Sequence, residues 1–130
     1  MKVHHIGYAV DEMDGAIKKF EDLGYALIGE KTEDKLRKVV IAFVKSGDTL
    51  VELIAPSGTG SPVDRVIEKN GATPYHICYE VEDIAETCSL LKKEGWTILI
   101  KPAPAPAISG APVAFLYNKI IGLIELVEKI

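Results

Sequence analysis

The chain contains the same sequence pattern twice. His-Ile-Gly-Tyr-Ala-Val over His5 to Val10 returns as His-Ile-Cys-Tyr-Glu-Val over His76 to Val81, and Val-Glu-Leu-Ile over Val51 to Ile54 returns as Ile-Glu-Leu-Val over Ile124 to Val127. The spacing barely drifts: 71 residues separate His5 from His76 and Gly24 from Gly95, 72 separate Ala42 from Ala114, and 73 separate Glu52 from Glu125. A repeat of this size restricts the fold to two copies of one small unit, because neither half alone could cover its sheet.

Each half reads strand, helix, strand, strand, strand. Lys2 to Val10 is rich in β-formers, and Asp11-Glu12 marks a turn into an amphipathic helix through about Leu23, with Met13, Ile17, Phe20 and Leu23 on one face. After Gly24 come a strand near Tyr25 to Glu30, a polar turn over Thr32 to Lys35, and strands over Lys38 to Lys45 and Thr49 to Ile54. The second half repeats this as a strand over Tyr75 to Val81, a helix over Ile84 to Glu94 and strands near Trp96 to Lys101, Pro112 to Tyr117 and Gly122 to Val127. We expect one domain over 1–130, with module 1 at about 1–55, a linker over 56–73 in which Val63 to Lys69 forms a short helix, and module 2 at about 74–130.

Strand alternation sets faces. Ile6, Tyr8 and Val10 share one face and His5, Gly7 and Ala9 the other; in the repeat His76, Cys78 and Glu80 match the histidine set. The bulky face suits a helix, and the histidine face, with its small neighbours, suits a ligand. Glu52 and Glu125 each sit in a run that is apolar on both faces, as interior strands are. An ionised carboxylate there is costly unless it is paired or coordinates a metal, and a divalent cation would satisfy both. Singly, each histidine has an ordinary reading as a hydrogen-bonded core residue and each glutamate as a solvated one. Recurrence of both types at matching strand positions points instead to His5, Glu52, His76 and Glu125 as ligands of one divalent metal such as zinc, cobalt, nickel or manganese. His4 has no histidine counterpart in the repeat and reads as structural, and Glu80 is an outside candidate near a strand end.

Composition narrows the partners. Net charge is −4, with the 26% charged residues scattered and of both signs, which argues against nucleic acid. No apolar stretch approaches the ~18 residues of a membrane helix, and Met1-Lys2 leads straight into a strand pattern, so no membrane association and a cytoplasmic location are expected. Cys78 and Cys88 make no Cys-x-x-Cys pair and read as buried small hydrophobes.

At His5-Ile6-Gly7, Val51-Glu52-Leu53, Tyr75-His76-Ile77-Cys78 and Ile124-Glu125-Leu126 the chain resembles the vicinal oxygen chelate superfamily, which includes glyoxalase I, methylmalonyl-CoA epimerase, extradiol dioxygenases and antibiotic-resistance proteins. Ser61-Pro62-Val63, Ile67 to Gly71, Val81 to Ile84 and Val113-Ala114-Phe115-Leu116 are most similar to the epimerase branch and the short glyoxalase I-like proteins. The resemblance implies an α+β fold of two paired βαβββ modules forming a curved mixed sheet around one metal site. It implies His5, Glu52, His76 and Glu125 as the metal ligands, open positions for two substrate oxygens, and a homodimer. The chemistry it implies is proton abstraction next to a carbonyl or thioester, with Glu125 as first choice of base and Glu52 as its mate for the other face of the substrate.

Three functions follow as expectations. The first is an epimerase acting on a methylmalonyl-CoA-like acyl-CoA, with Arg37, Lys101 or Lys119 available for phosphates. The second is a glyoxalase I (lactoylglutathione lyase)-type enzyme acting on a thiol adduct; the third is a non-catalytic binder of small molecules. Lys38 to Ala42 lacks the extra acid that some epimerases carry on their third strand, Tyr117-Asn118 replaces their His-Pro, and a loop from Pro102 to Pro112 with four prolines replaces their Gly-rich one. That loop is expected to be a site cover or a connector.

Overall fold

Glu12 starts the first helix, three residues after the first strand has ended at Ala9. Its backbone is extended (φ −130°, ψ 112°) while its carboxylate accepts the Gly15 N–H at 2.9 Å, an N-cap that also places negative charge at the helix start. Asp83 does the same 71 residues later, accepting from the Glu86 N–H at 3.0 Å. Both helices stop at a glycine in the left-handed region, Gly24 (φ 91°) and Gly95 (φ 95°), where a Cβ would be strained. The repeat seen in the sequence is thus a repeat of punctuation as well as of apolar pattern.

The computed structural model describes all residues 1–130. Its elements are β1 (Lys2–Ala9), α1 (Met13–Asp22), β2 (Ala26–Asp34), β3 (Val39–Ser46), β4 (Thr49–Pro56), α2 (Asp64–Asn70), β5 (Thr73–Val81), α3 (Ile84–Lys93), β6 (Thr97–Ala105), a 3₁₀ turn (Pro106–Ile108), β7 (Ala111–Asn118) and β8 (Gly122–Glu128). The chain forms two compact units, His5–Tyr75 and Met1–His4 with His76–Ile130. Each is α+β with a mixed sheet.

In the unit His5–Tyr75 the strands run β2-β3-β4-β1. β2, β3 and β4 are antiparallel and β1 is parallel to β4, with Gly7 opposite Glu52. Helix α1 covers one face: Met13 and Ile17 bury against Val10, Ala42, Val44, Val51, Leu53 and Ala55, with Tyr8 and Phe20 at the margin. Each fully buried aliphatic side chain of this kind contributes about 1.5–3 kcal/mol. Leu23, expected on the buried face, is 73% exposed because α1 ends before it, so the helix packs through Phe20 instead.

The unit containing His76–Ile130 has the strand order β5-β8-β7-β6, with β5 parallel to β8 and the rest antiparallel. Helix α3 seats Ile84 and Cys88 on Val81, Ala114, Leu116, Ile124 and Leu126. Burial pushes the Cys88 thiol above its ordinary pKa. The opposite face carries a second small cluster of Cys78, Ala105, Ala111, Val113 and Val127.

Two expectations about the edge strands fail. β2 was expected to end near Glu30 with a polar turn at Thr32 to Lys35, but pairing with β3 continues to Asp34 and the turn is at residues 35–38. The loop expected from Pro102 to Pro112 is largely structured too, since β6 pairs with β7 as far as Ala105 opposite Ala111. The reason is shared. β2 and β6 hydrogen-bond to one neighbour only within their units, so polar residues and prolines, which break an interior strand, are tolerated there. No helix is long and apolar enough to cross a membrane.

Candidate metal centre

The face of each sheet away from its helix holds one imidazole beside one carboxylate. In the unit His5–Tyr75, Nε2 of His5 lies 3.4 Å from Oε1 of Glu52; in the other unit, Nε2 of His76 lies 3.1 Å from Oε1 of Glu125. Both histidine side chains are fully buried and both glutamate side chains are only 5% exposed. The strands explain the meeting. Glu52 stands opposite Gly7 on β1, which has no side chain, so the carboxylate has room to lean back toward His5 two residues earlier on the same face. Cys78 plays the same small-neighbour part opposite Glu125.

An aromatic ring closes each pair from the other side. Phe43 stands opposite Glu52 and meets the His5 ring edge-on at 5.5 Å, and Phe115 stands opposite Glu125 and meets the His76 ring edge-on at 5.3 Å. On the edge strands Ile28 lies opposite Phe43 and Ile100 opposite Phe115, respectively 49% and 44% exposed. The pairs therefore sit at the base of apolar walls open to solvent above.

This donor set suits a divalent ion. Buried carboxylates lose several kcal/mol of hydration each, and neutral imidazole with carboxylate is a good match for zinc, cobalt, nickel or manganese. Two neighbouring ligands of an ion with bonds of ~2.1 Å stand ~3.0–3.4 Å apart, the separation seen in both pairs. All four residues belong to metal-capable groupings. His4 is half-buried on the opposite face of β1, and Glu80, half-buried on β5 opposite Val127, joins neither His–Glu pair.

Sequence reasoning missed three parts of this face. Phe43 and Phe115 were visible as a repeated Ala-Phe pair, and only the register to the glutamates gives them their role. Asp34 falls within the polar turn expected over Thr32 to Lys35; it is 3% exposed, with Oδ2 accepting from Arg37 Nη1 at 2.9 Å and Oδ1 from the Arg37 N–H at 3.0 Å. Through its register with Val39 and so with Ile41 and Phe43, Asp34 lies on the histidine face. Arg37 is thus tied to Asp34 rather than standing free at the surface.

Residues 2–115 match the glyoxalase/bleomycin resistance protein/dioxygenase superfamily. The chain belongs to that superfamily. Among curated relatives, it is 34% identical over 119 residues to an ethylmalonyl-CoA/methylmalonyl-CoA epimerase of Cereibacter sphaeroides, covering 91% of this chain and 89% of the other. It is 33% identical over 128 residues to the mitochondrial methylmalonyl-CoA epimerase of Mus musculus, covering 96% and 71%. Among solved structures, a hypothetical protein from Bacillus halodurans C-125 matches with a TM-score of 0.89 at 31% identity, covering 99% of this chain and 94% of that one. The superfamily's vicinal oxygen chelate fold is therefore this chain's fold, and its relatives at this level of identity include epimerases.

Proposed function

We propose that the chain is a metal-dependent epimerase of an acyl-CoA thioester of the methylmalonyl-CoA type, in which both modules act as one domain and His5, Glu52, His76 and Glu125 hold a single divalent ion. The observation that carries this reading is the duplicated contact itself, with His5–Glu52 at 3.4 Å and His76–Glu125 at 3.1 Å, each almost fully buried. The relatives named as epimerases supply the substrate class.

A bound ion would polarise the thioester carbonyl and acidify the adjacent C–H. The residues do the rest. His5 and His76 offer neutral nitrogens and hold no substrate proton. Glu125 takes the proton from the carbon at its carboxylate oxygen, Glu52, carrying a proton at that moment, gives it to the opposite face and so inverts the centre, and the pair restores the difference of one proton by exchange with solvent before the next turnover. Phe43 and Phe115, opposite Glu52 and Glu125, put apolar rings beside the two carboxylates, which would lessen the screening of charge developing on the substrate. The test is solvent deuterium exchange: methylmalonyl-CoA incubated with metal-loaded protein in D₂O should gain one deuteron at the carbon between its carbonyls, and a chelator should stop the gain.

One observation favours a second reading. β3 carries no acid, so Glu52 and Glu125 must serve both as ligands and as bases, an economy that proton movement between adjacent carbons of a thiol adduct also allows. Metal-dependent turnover of the methylglyoxal–glutathione adduct, without exchange into methylmalonyl-CoA, would assign the glyoxalase I-type activity. A metal-free protein that binds ligands without turnover would be a carrier instead.

A further inference from the structure

The two modules match at the base of the histidine face and part company at its rim. β3 and β7 are each eight residues long and bury their residues in the same sequence of buried, half-buried and exposed positions. Their third and fifth residues are alike, Ile41 with Phe43 and Val113 with Phe115. The seventh is Lys45 in one and Tyr117 in the other, both exposed. Alternation puts each on the same face as its phenylalanine, one step further toward solvent.

The cross-strand partners agree with this. Lys45 stands opposite Leu50 on β4 and Ala26 on β2, and Tyr117 opposite Leu123 on β8 and Thr97 on β6. Around Lys45 the face is therefore apolar or small, with Phe43, Ala26, Leu50 and the exposed Ile28 close by. The ion pairs include Lys19–Asp22, Lys31–Asp14, Arg37–Asp34 and Lys129–Glu82, besides the two His–Glu contacts. Lys45 is in none of them. A cation on an otherwise apolar rim, where its counterpart is a neutral phenol, breaks the internal symmetry of the site.

We infer that Lys45 is a specificity residue that receives an oxyanion of the bound ligand and so fixes which way round an asymmetric substrate enters. A lysine is suited to this as a compact charge on a flexible stem, able to follow either a carboxylate or a phosphate. Tyr117 then faces the uncharged part of the ligand, which its ring can cover while its hydroxyl stays wet. The inference rests on reading the His–Glu face as an acyl-CoA site. In such a ligand the oxyanion has two sources: the free carboxylate of the acyl group and the phosphates of the coenzyme.

Calorimetric titration of the cobalt-loaded full chain separates them, with malonate carrying only carboxylates and coenzyme A carrying phosphates without an acyl carboxylate. Lys45→Met is expected to weaken one of the two by about tenfold, as loss of one charge-assisted hydrogen bond does, while Lys45→Arg stays within about threefold of the parent. The weakened probe names the source. Because Lys45 is exposed, its replacement should leave the melting temperature unchanged, and any loss of binding would not be unfolding. Equal affinities in parent and Lys45→Met for both probes overturn the inference, as does a parent protein that binds neither. Deuterium exchange into methylmalonyl-CoA is read separately. Exchange with no effect of Lys45→Met discards the inference and keeps the epimerase, whereas Lys45-dependent binding with no exchange keeps the inference and discards the epimerase.

Discussion

The imidazole of His5 meets the ring of Phe43 edge-on, with centroids 5.5 Å apart and planes at 80°, and His76 with Phe115 repeats the arrangement at 5.3 Å and 84°. An edge-to-face contact is worth about 0.5–1.5 kcal/mol beyond its buried area, and here it also fixes ring orientation. Groups that orient a metal-binding histidine change affinity by roughly 10–100-fold when removed. Phe43→Ala and Phe115→Ala should therefore each weaken cobalt binding by about tenfold, measured by competition with a chromophoric chelator. An unchanged affinity in both would reduce the rings to lining.

Glu125 is proposed both to hold the ion and to move the proton, and glutamine separates the two roles. The amide oxygen of Glu125→Gln can still donate a lone pair but cannot accept a proton at neutral pH. Turnover should fall by at least about 10²-fold while metal affinity changes far less. Parallel assays of deuterium exchange and cobalt content decide it, and full turnover in the variant removes Glu125 as the base.

How much of this was legible from the residues depends on where each one sits. The repeat of His-Ile-x-Tyr and of Glu-Leu exposed the two modules, their element order and the four inward groups, because interior strands show their faces through alternation. The edges resisted. In β2 and β6 solvent reaches residues of both faces, so polarity in Thr32 to Asp34 and prolines in Pro102 to Pro104 imitated loops while the ladder to β3 and β7 ran on. The position of Phe43 beside Glu52 was out of reach for another reason: it follows from register between strands, and alternation within one strand does not carry register.

Metal binding should be visible in stability. In the absence of an ion two buried carboxylates stand in a largely apolar setting, each beside an imidazole. A ligand at a hundredfold excess over its dissociation constant stabilises the folded state by about 2.7 kcal/mol, which for a domain of this size raises the melting temperature by roughly 10 °C. Differential scanning calorimetry with cobalt, then with excess chelator, should show the rise and its reversal. The increment should vanish in a His5→Ala, His76→Ala double variant, and its persistence there would place the ion elsewhere.

Asp34, on the histidine face of the His5–Tyr75 unit, forms a part-buried charged contact with Arg37, the Asp34 side chain being 3% and the Arg37 side chain 16% exposed. Removing one partner of such a pair costs about 3–5 kcal/mol, because the charge left behind must be held without its counter-ion. Replacing both by apolar groups of similar volume often restores much of the loss. Asp34→Ala should therefore lower stability by about 3 kcal/mol in urea, near the low end since Arg37 retains some solvent, and Asp34→Ala with Arg37→Met should recover at least about half of it. The counterparts in the second module are Ala105 and Ile108, both apolar, which shows that the fold accepts an uncharged solution at this place. A double variant as unstable as Asp34→Ala alone would mean that the arginine stem, and not its charge, is what the unit needs there.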